Sequence, residues 1–296
     1  MDTTAHVHIL GCGGAAGIGL TRCLQGDPRW KLTGWDDNPW ARKLAECELD
    51  PGTDADLILP VPDSLVRLWS GMPHTYLPPP DVVERCQEKE LAAKIFGCHA
   101  PVTYWVRDTH GAGGAGAAKL TGKMCSEYLP GRNISVELLY EHGHLRASFT
   151  KERLSYKVTS VEPNVAGVGS SAVSRCIRDK PAEDVARWAV AAIGKMPHGI
   201  YSVDLKEDKY GLPKITEINP GRFLTASYVY FQRANYNLPR LFVEIALGLN
   251  RTPLGEYPEG IAIVRQIDRL PWVGYLPRYD DEQIDWEMSD HAEVPG

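Results

Sequence analysis

The stretch Ile200-Tyr201-Ser202-Val203-Asp204-Leu205-Lys206, then Glu207 to Pro213, then Lys214-Ile215-Thr216-Glu217-Ile218-Asn219-Pro220, decides how the rest of the chain is read. Two strands whose turn is centred between Tyr210 and Gly211 form an antiparallel hairpin. Asp204 then lies directly across from Glu217, with Asn219 on the same face two residues along. Like charges facing each other across a ladder are destabilising, so the pair is tolerable only with a cation between the two or a proton on one. Oxygen ligands from Asp, Glu and Asn suit Mg²⁺ or Mn²⁺, ions that also hold nucleotide phosphates. Arg222, just past the hairpin, is aimed back toward that site by Asn219-Pro220-Gly221 and can stabilise negative charge developing in a reaction. The plain alternative is a solvated hairpin face of ordinary charges, with Arg222 in a surface ion pair.

Working outward, the 296-residue chain is long enough for two packed domains or one large one. With 43% hydrophobic and 24% charged residues it has a globular composition. A net charge of -6 argues against coating nucleic acid, which needs a surplus of Lys and Arg on at least one face. No apolar run approaches the roughly 20 residues that span a bilayer. The polar, acidic start Met1-Asp2-Thr3-Thr4 does not resemble a signal peptide. Seven cysteines without C-x-x-C pairs suit a reducing cytosol. The expectation is a cytoplasmic protein with no nucleic-acid or membrane partner.

Ahead of the hairpin, His6 to Leu10 reads as a strand that runs into Gly11-Cys12-Gly13-Gly14-Ala15-Ala16-Gly17 and a helix through Leu24. A second strand at Lys31 to Asp36 completes the opening of a doubly wound α/β unit. Gly11, Gly13 and Gly17, with Asp36 about twenty residues on, imitate a dinucleotide fingerprint. Their spacing is G-x-G-x-x-x-G, and the favoured reading is a tight turn that binds nothing. Asp54 to Pro60 offers another strand, and Pro78-Pro79-Pro80 is the clearest break. One helix is expected over 81–96 with Asp81 as its cap, then β texture from Val102 with strands at Met124 to Leu129, Ile134 to Tyr140 and His144 to Thr150.

A second glycine loop, Gly111-Ala112-Gly113-Gly114-Ala115-Gly116-Ala117, follows a strand that ends at Arg107. It lacks the G-K-[ST] of a Walker loop. Its small residues would let backbone N–H groups approach a polyphosphate, with Arg107 neutralising charge beside them.

This order of parts resembles the ATP-grasp enzymes, closest in texture to the carbamoyl-phosphate-synthase large-chain type. The resemblance covers nearly the whole chain. It implies a short Rossmann-like preATP-grasp domain over residues 1–80 and an ATP-grasp domain over 81–296, hence α/β followed by α+β. Within the second, it implies a nucleotide lid over about 101–150, a metal-binding part over about 151–250 and a C-terminal tail over 251–296. By the same resemblance, Asp204, Glu217 and Asn219 match the metal ligands for Mg²⁺ or Mn²⁺, and Arg222 the arginine that follows them. Arg107, Lys89 and the glycines Gly111, Gly113, Gly114 and Gly116 look like the phosphate contacts. Glu127 and the backbone near Leu129 look like the adenine-reading hinge. Asn133 stands where an acidic residue commonly contacts the ribose, and Glu137 is the substitute available for that contact.

The implied activity is an ATP-dependent ligase. It would activate a substrate carboxylate as an acyl phosphate, join it to an amine or other nucleophile, and release ADP and phosphate. Arg222 and Arg107 are its expected catalytic groups and small-molecule carboxylates and amines its partners. Homodimers are common in the superfamily, so the resemblance leaves a homodimer open. A catalytically inactive ATP-binding scaffold and an NAD(P)-dependent oxidoreductase built on the first glycine turn are the alternatives.

Overall fold

Ala5–Leu10 forms β1, an inner strand of a four-stranded parallel sheet in the computed structural model. The structure describes residues 4–101, 103–105, 124–158, 168–233, 235–265 and 272–275. Val7 and Ile9 are fully buried, as central positions of a two-sided sheet require. After β1 the chain turns at Gly11, whose φ of +83° is a left-handed conformation that favours glycine. It then enters α1 (Ala15–Leu24) and returns as β2 (Trp30–Trp35), which pairs parallel to β1. Beyond α2 (Pro39–Arg42), β3 (Glu48–Leu49) joins the outside of β2, and β4 (Leu57–Pro60) joins the other side of β1. This β4 is shorter than the strand expected from Asp54. Asp56 instead accepts from the backbone N–H of His6 at 2.7 Å, and the Asp54 carbonyl lies 2.9 Å from its ring, so that segment wraps the start of β1.

The chain continues through α3 (Asp63–Trp69) to α4 (Pro80–Gln87) and α5 (Lys89–Phe96). One helix was expected here; two are found, separated by an extended Glu88. Pro80 opens α4, where its fixed φ suits the first turn. Asp81 is therefore inside the helix instead of capping it, and it pairs with Arg85 at 2.9 Å.

After a two-stranded piece, β5 (Thr103–Trp105) with β6 (Met124–Ser126), come β7 (Asn133–Glu141), β8 (His144–Val158) and β9 (Val168–Cys176). Helix α6 (Lys180–Ile193) leads to β10 (Gly199–Glu207) and β11 (Pro213–Pro220), then α7 (Ser227–Arg233), α8 (Leu238–Ala246), β12 (Ile261–Val264) and β13 (Trp272–Tyr275). The larger sheet has the order β11-β10-β7-β8-β9-β12-β13 and is antiparallel throughout. The sequence pattern ends β8 at Thr150, but the strand runs on to Val158. Lys151 and Arg153 disguise it, because they are polar residues on a face that is otherwise apolar further up.

Alternation sorts this sheet into two faces. Val136, Leu138, Tyr201, Val203 and Ile218 point to a core shared with α4, α5 and α6. The other face begins apolar, with Leu139, Ala147, Phe149 and Ile200 packed under α7, α8 and the parallel sheet. It then turns polar along the same strands. Ser135 and Glu137 of β7, Lys151 and Arg153 of β8, Ser202 and Asp204 of β10, and Glu217 and Asn219 of β11 occupy the remainder.

The parallel unit docks on the larger one mainly through α1 against α7 and α8. Gly19 makes that approach possible: a Cβ there would sit 2.7 Å from the ring of Tyr228, which is buried at 2% exposure. Arg29 pairs with the fully buried Glu244 of α8 at 2.7 Å, and Asn237 donates to the Cys23 carbonyl at 2.7 Å. Gly19→Ala is expected to cost about 1–3 kcal/mol by overpacking this contact, read as a lower urea midpoint with an unchanged slope.

Candidate functional site

The hairpin of β10 and β11 carries the register expected of it. Asp204 pairs with Glu217 and Ser202 with Asn219. A bulge follows Asp204, where Thr216 is the extra residue and donates its hydroxyl to the Asp204 carbonyl at 3.0 Å. On the turn side of the bulge the pairing runs Leu205 with Ile215 and Lys206 with Lys214. Without that extra residue, Glu217 would face the opposite side of the sheet.

The like-charge problem is met first by the protein itself. Arg153 donates to Asp204 Oδ1 at 2.5 Å and Ser135 donates to the same oxygen at 2.9 Å. Both side chains of the ion pair are largely buried, 16% and 14% exposed. A guanidinium therefore supplies the positive charge that the sequence argument assigned to a metal or a proton. Neither bond uses Asp204 Oδ2. Glu217 is exposed, and Asn219 is buried with its side-chain oxygen accepting from Arg222 Nη2 at 2.8 Å. Three hard oxygen donors on one hairpin face suit a small divalent cation. No cluster of three or more His, Cys, Asp or Glu side chains is placed to hold a metal among the described residues, so Asn219 is the third donor such an ion would need.

Arg222 links the two units. Its Nη2 donates to Asp63 Oδ2 of α3 at 3.1 Å, and its Nε bonds the other carboxylate oxygen. Its carbonyl accepts from Ser202 at 2.9 Å, which fixes the loop after β11 onto the middle of β10. The arginine expected from sequence thus stands beside Asn219 and on the boundary with the parallel sheet.

Glu137 requires a correction. It was the substitute for a ribose contact, but it is 1% exposed and its Oε1 accepts from the Leu224 N–H at 2.5 Å. It holds the loop after β11 onto the sheet from below and presents no carboxylate to a sugar. Its Oε2 is buried with no hydrogen-bond partner among the described residues. Burial drives its carboxyl pKa upward, against the opposing pull of Lys151. Lys151, equally buried, has its pKa driven down by the same desolvation and bonds Ser227 at the start of α7. Lys151 and Arg153 are therefore neither solvated nor a free patch.

No protein-family model matches the sequence, and no curated protein matches it by sequence. Solved structures do match in three dimensions. The chain is similar to an L-amino acid ligase from Bacillus licheniformis at 14% identity and TM-score 0.60, over 88% of this chain and 78% of that one. It is similar to a putative ATP-grasp superfamily protein from Archaeoglobus fulgidus at 13% identity and TM-score 0.63, over 92% of this chain and all of the other. N5-carboxyaminoimidazole synthetase from Staphylococcus aureus aligns at 12% identity and TM-score 0.63, over 89% and 83%. The chain has the ATP-grasp fold.

In this ATP-grasp fold the expected hinge, Glu127 to Gly131, lies between β6 and β7, with Glu127 half-buried and Leu129 buried. Gly131 donates to the Glu207 carbonyl at 3.0 Å, which ties the segment to the end of β10. Lys89 opens α5, a helix packed on the sheet face opposite Asp204. Arg107, Gly111, Gly113, Gly114 and Gly116 lie outside the described residues. So do the side chain of Lys157 and most of the stretch between Leu154 and Ser171. From sequence, Lys151, Arg153 and Lys157 read equally as contacts for an anionic substrate or as a solvated basic strand edge; Lys151 instead bonds Ser227 and Arg153 bonds Asp204. Sequence reasoning missed Asp63, which nothing local marked.

Replacing the guanidinium should expose what it balances. Arg153→Gln leaves Asp204 and Glu217 facing each other without that cation. Mg²⁺ should then raise the melting temperature of the variant more than that of the parent; equal shifts would show that the hairpin carboxylates do not take the ion.

Proposed function

We propose that the chain is an ATP-dependent, ADP-forming ligase that activates a substrate carboxylate and joins it to an amine or another nucleophile. The observation that carries this reading is the convergence of Asp204, Glu217, Asn219 and Arg222 on one edge of an ATP-grasp sheet. In the reaction, a carboxylate oxygen of the substrate attacks the γ-phosphorus of ATP. The bond from that phosphorus to the bridging oxygen breaks, and ADP leaves. The nucleophile then attacks the acyl carbon, loses its proton, and phosphate departs.

Such chemistry asks for alignment and neutralised charge more than for covalent help from the protein. A divalent ion on Asp204, Glu217 and Asn219 would supply phosphate neutralisation. Arg222, adjacent to Asn219, would hold the carboxylate and stabilise charge at the acyl centre. Arg107, Lys89 and the glycines at 111, 113, 114 and 116 would hold the phosphates, and Glu127 with the Leu129 backbone the adenine. The division near Pro80, between a substrate-side unit over 1–80 and a nucleotide-side unit over 81–296, belongs to the same proposal, as does a cytoplasmic location. No described helix is long and apolar enough to cross a membrane.

The oxidoreductase alternative loses its support at the first glycine turn. Asp36 Oδ2 accepts from the Gly13 N–H at 3.2 Å and Oδ1 from the Asn38 N–H at 3.0 Å. The acid that would hold a ribose instead closes the turn on itself. A Cβ on Gly13 would sit 2.0 Å from the Ala41 carbonyl, so this glycine serves backbone packing.

Incubation with ATP, Mg²⁺ and a panel of carboxylates should release ADP, and hydroxylamine should trap a hydroxamate; AMP and pyrophosphate as products overturn the acyl-phosphate route. ATP with Mg²⁺ at 100 times its dissociation constant should stabilise the protein by about 2.7 kcal/mol, and NADPH should not. Glu217→Gln should lower kcat by roughly 100-fold or more while leaving the melting temperature close to that of the parent, because the lost interaction is with the reacting charge.

A further inference from the structure

Between α1 and α7 lies a cavity of about 320 Å³, large enough for a small organic molecule. Its walls are one face of each helix: Ile18 and Gly19 from α1, Tyr228 and Val229 from α7. Thr225, three residues beyond Arg222, also lines it. The absence of a side chain on Gly19, which lets Tyr228 approach, also shapes the floor.

The rim is cationic. Arg22, Arg233 and Arg265 all line the cavity, and among the described residues Arg22 is the one that carries an ion pair, with Glu46. Arg265 follows β12 on the same sheet face as Lys151, and its backbone N–H is fixed to the Ala172 carbonyl at 2.7 Å. Its Nη1 is buried with no hydrogen-bond partner among the described residues. Arg265 lies close enough to Lys151 to push that lysine toward its neutral form, and its own guanidinium is disfavoured by burial. A half-buried guanidinium with one buried, unsatisfied donor, beside a second arginine on the rim, is an arrangement that an anion completes. An apolar floor beneath a cationic rim further defines that anion: it is attached to a small apolar body.

We propose that this cavity binds the acceptor-side substrate through an oxyanion, carboxylate or phosphate, held by Arg265 and Arg233, with an apolar body lying on Ile18 and Val229. The inference rests on the ligase reading for the word substrate, though binding itself does not require turnover. The substrate class is then an amphipathic small molecule with an anionic end held away from the metal hairpin. Arg22 stays with Glu46 and shapes the mouth.

Calorimetry on the full chain, saturated with ADP and Mg²⁺ so that the nucleotide site is filled, tests this with two probes, inorganic phosphate and glutarate. The parent should bind at least one of them. A preference for phosphate identifies a phosphorylated substrate, and a preference for glutarate a carboxylate. Arg265→Met should weaken binding 10-fold or more and Arg265→Lys less. Should Arg265→Met fail to fold, Arg233→Gln on the exposed rim should still weaken the probe several-fold. Binding by neither probe at millimolar concentration, or equal binding by parent and arginine variants, overturns the proposal. If the probe binds while ATP with Mg²⁺ does not, the cavity stands and the ligase reading falls.

Discussion

The structure depends on one sheet face that changes character partway along its strands. Near Leu139, Ala147, Phe149 and Ile200 it is apolar and covered by helices and by the parallel unit. Two to four residues further along the same strands it becomes Ser135, Glu137, Lys151, Arg153, Ser202 and Asp204. The same alternation that fills the core therefore also delivers the polar groups, because successive side chains on one face sit only two residues apart. A core of this kind and a site of this kind cannot be shifted independently. A one-residue slip in β10 would send Asp204 into the opposite core and Val203 into the site.

Burying charge at that boundary is costly, and the structure meets the cost by tying down its loops. Glu137 and Lys151 are each about 1% exposed, and both are driven toward their neutral forms by desolvation. Each has a specific partner above the sheet: the Leu224 amide for the acid, the Ser227 hydroxyl for the base. Those partners belong to the segment that begins at Pro220, so the buried pair holds in place the loop that carries Arg222. Ser202 adds a third tie through the Arg222 carbonyl. The arginine is consequently positioned from beneath by groups buried under its loop, and from the side by Asp63.

Much of this was legible in the sequence, and the limits have physical causes. The pairing of Asp204 with Glu217 was read from a regular ladder with its turn centred between Tyr210 and Gly211; the turn is centred on Tyr210, and the extra residue Thr216 restores the pair. The glycine turn after β1 was read as a tight turn, and the Asp36 carboxylate closes that turn. Arg153 was not legible as the partner of Asp204, because nothing in a single strand says which neighbouring strand it will lie beside. Glu137 was misread for a related reason. It was the acid available in place of Asn133, but its burial is set by Leu224 and Ser227, nearly ninety residues later. The two helices at 80–96 differ from the single one expected because Pro80 fixes where the first begins, not where it ends.

Arg153 also changes the argument that began with two carboxylates. Their proximity does not by itself demand a metal, since a guanidinium already lies on Asp204 Oδ1. What favours an ion is the composition of the edge that remains. Asp204 Oδ2, Glu217 and the Asn219 amide oxygen present hard oxygen atoms toward one side of the hairpin, while Arg153 and Arg222 flank them. Cations that flank the donors reduce the repulsion among them before any ligand arrives. They also supply positive charge for what an ion would bring with it. Under the ligase proposal, an edge built in this way would suit a polyanion such as a triphosphate, whose charge exceeds what one divalent ion can neutralise.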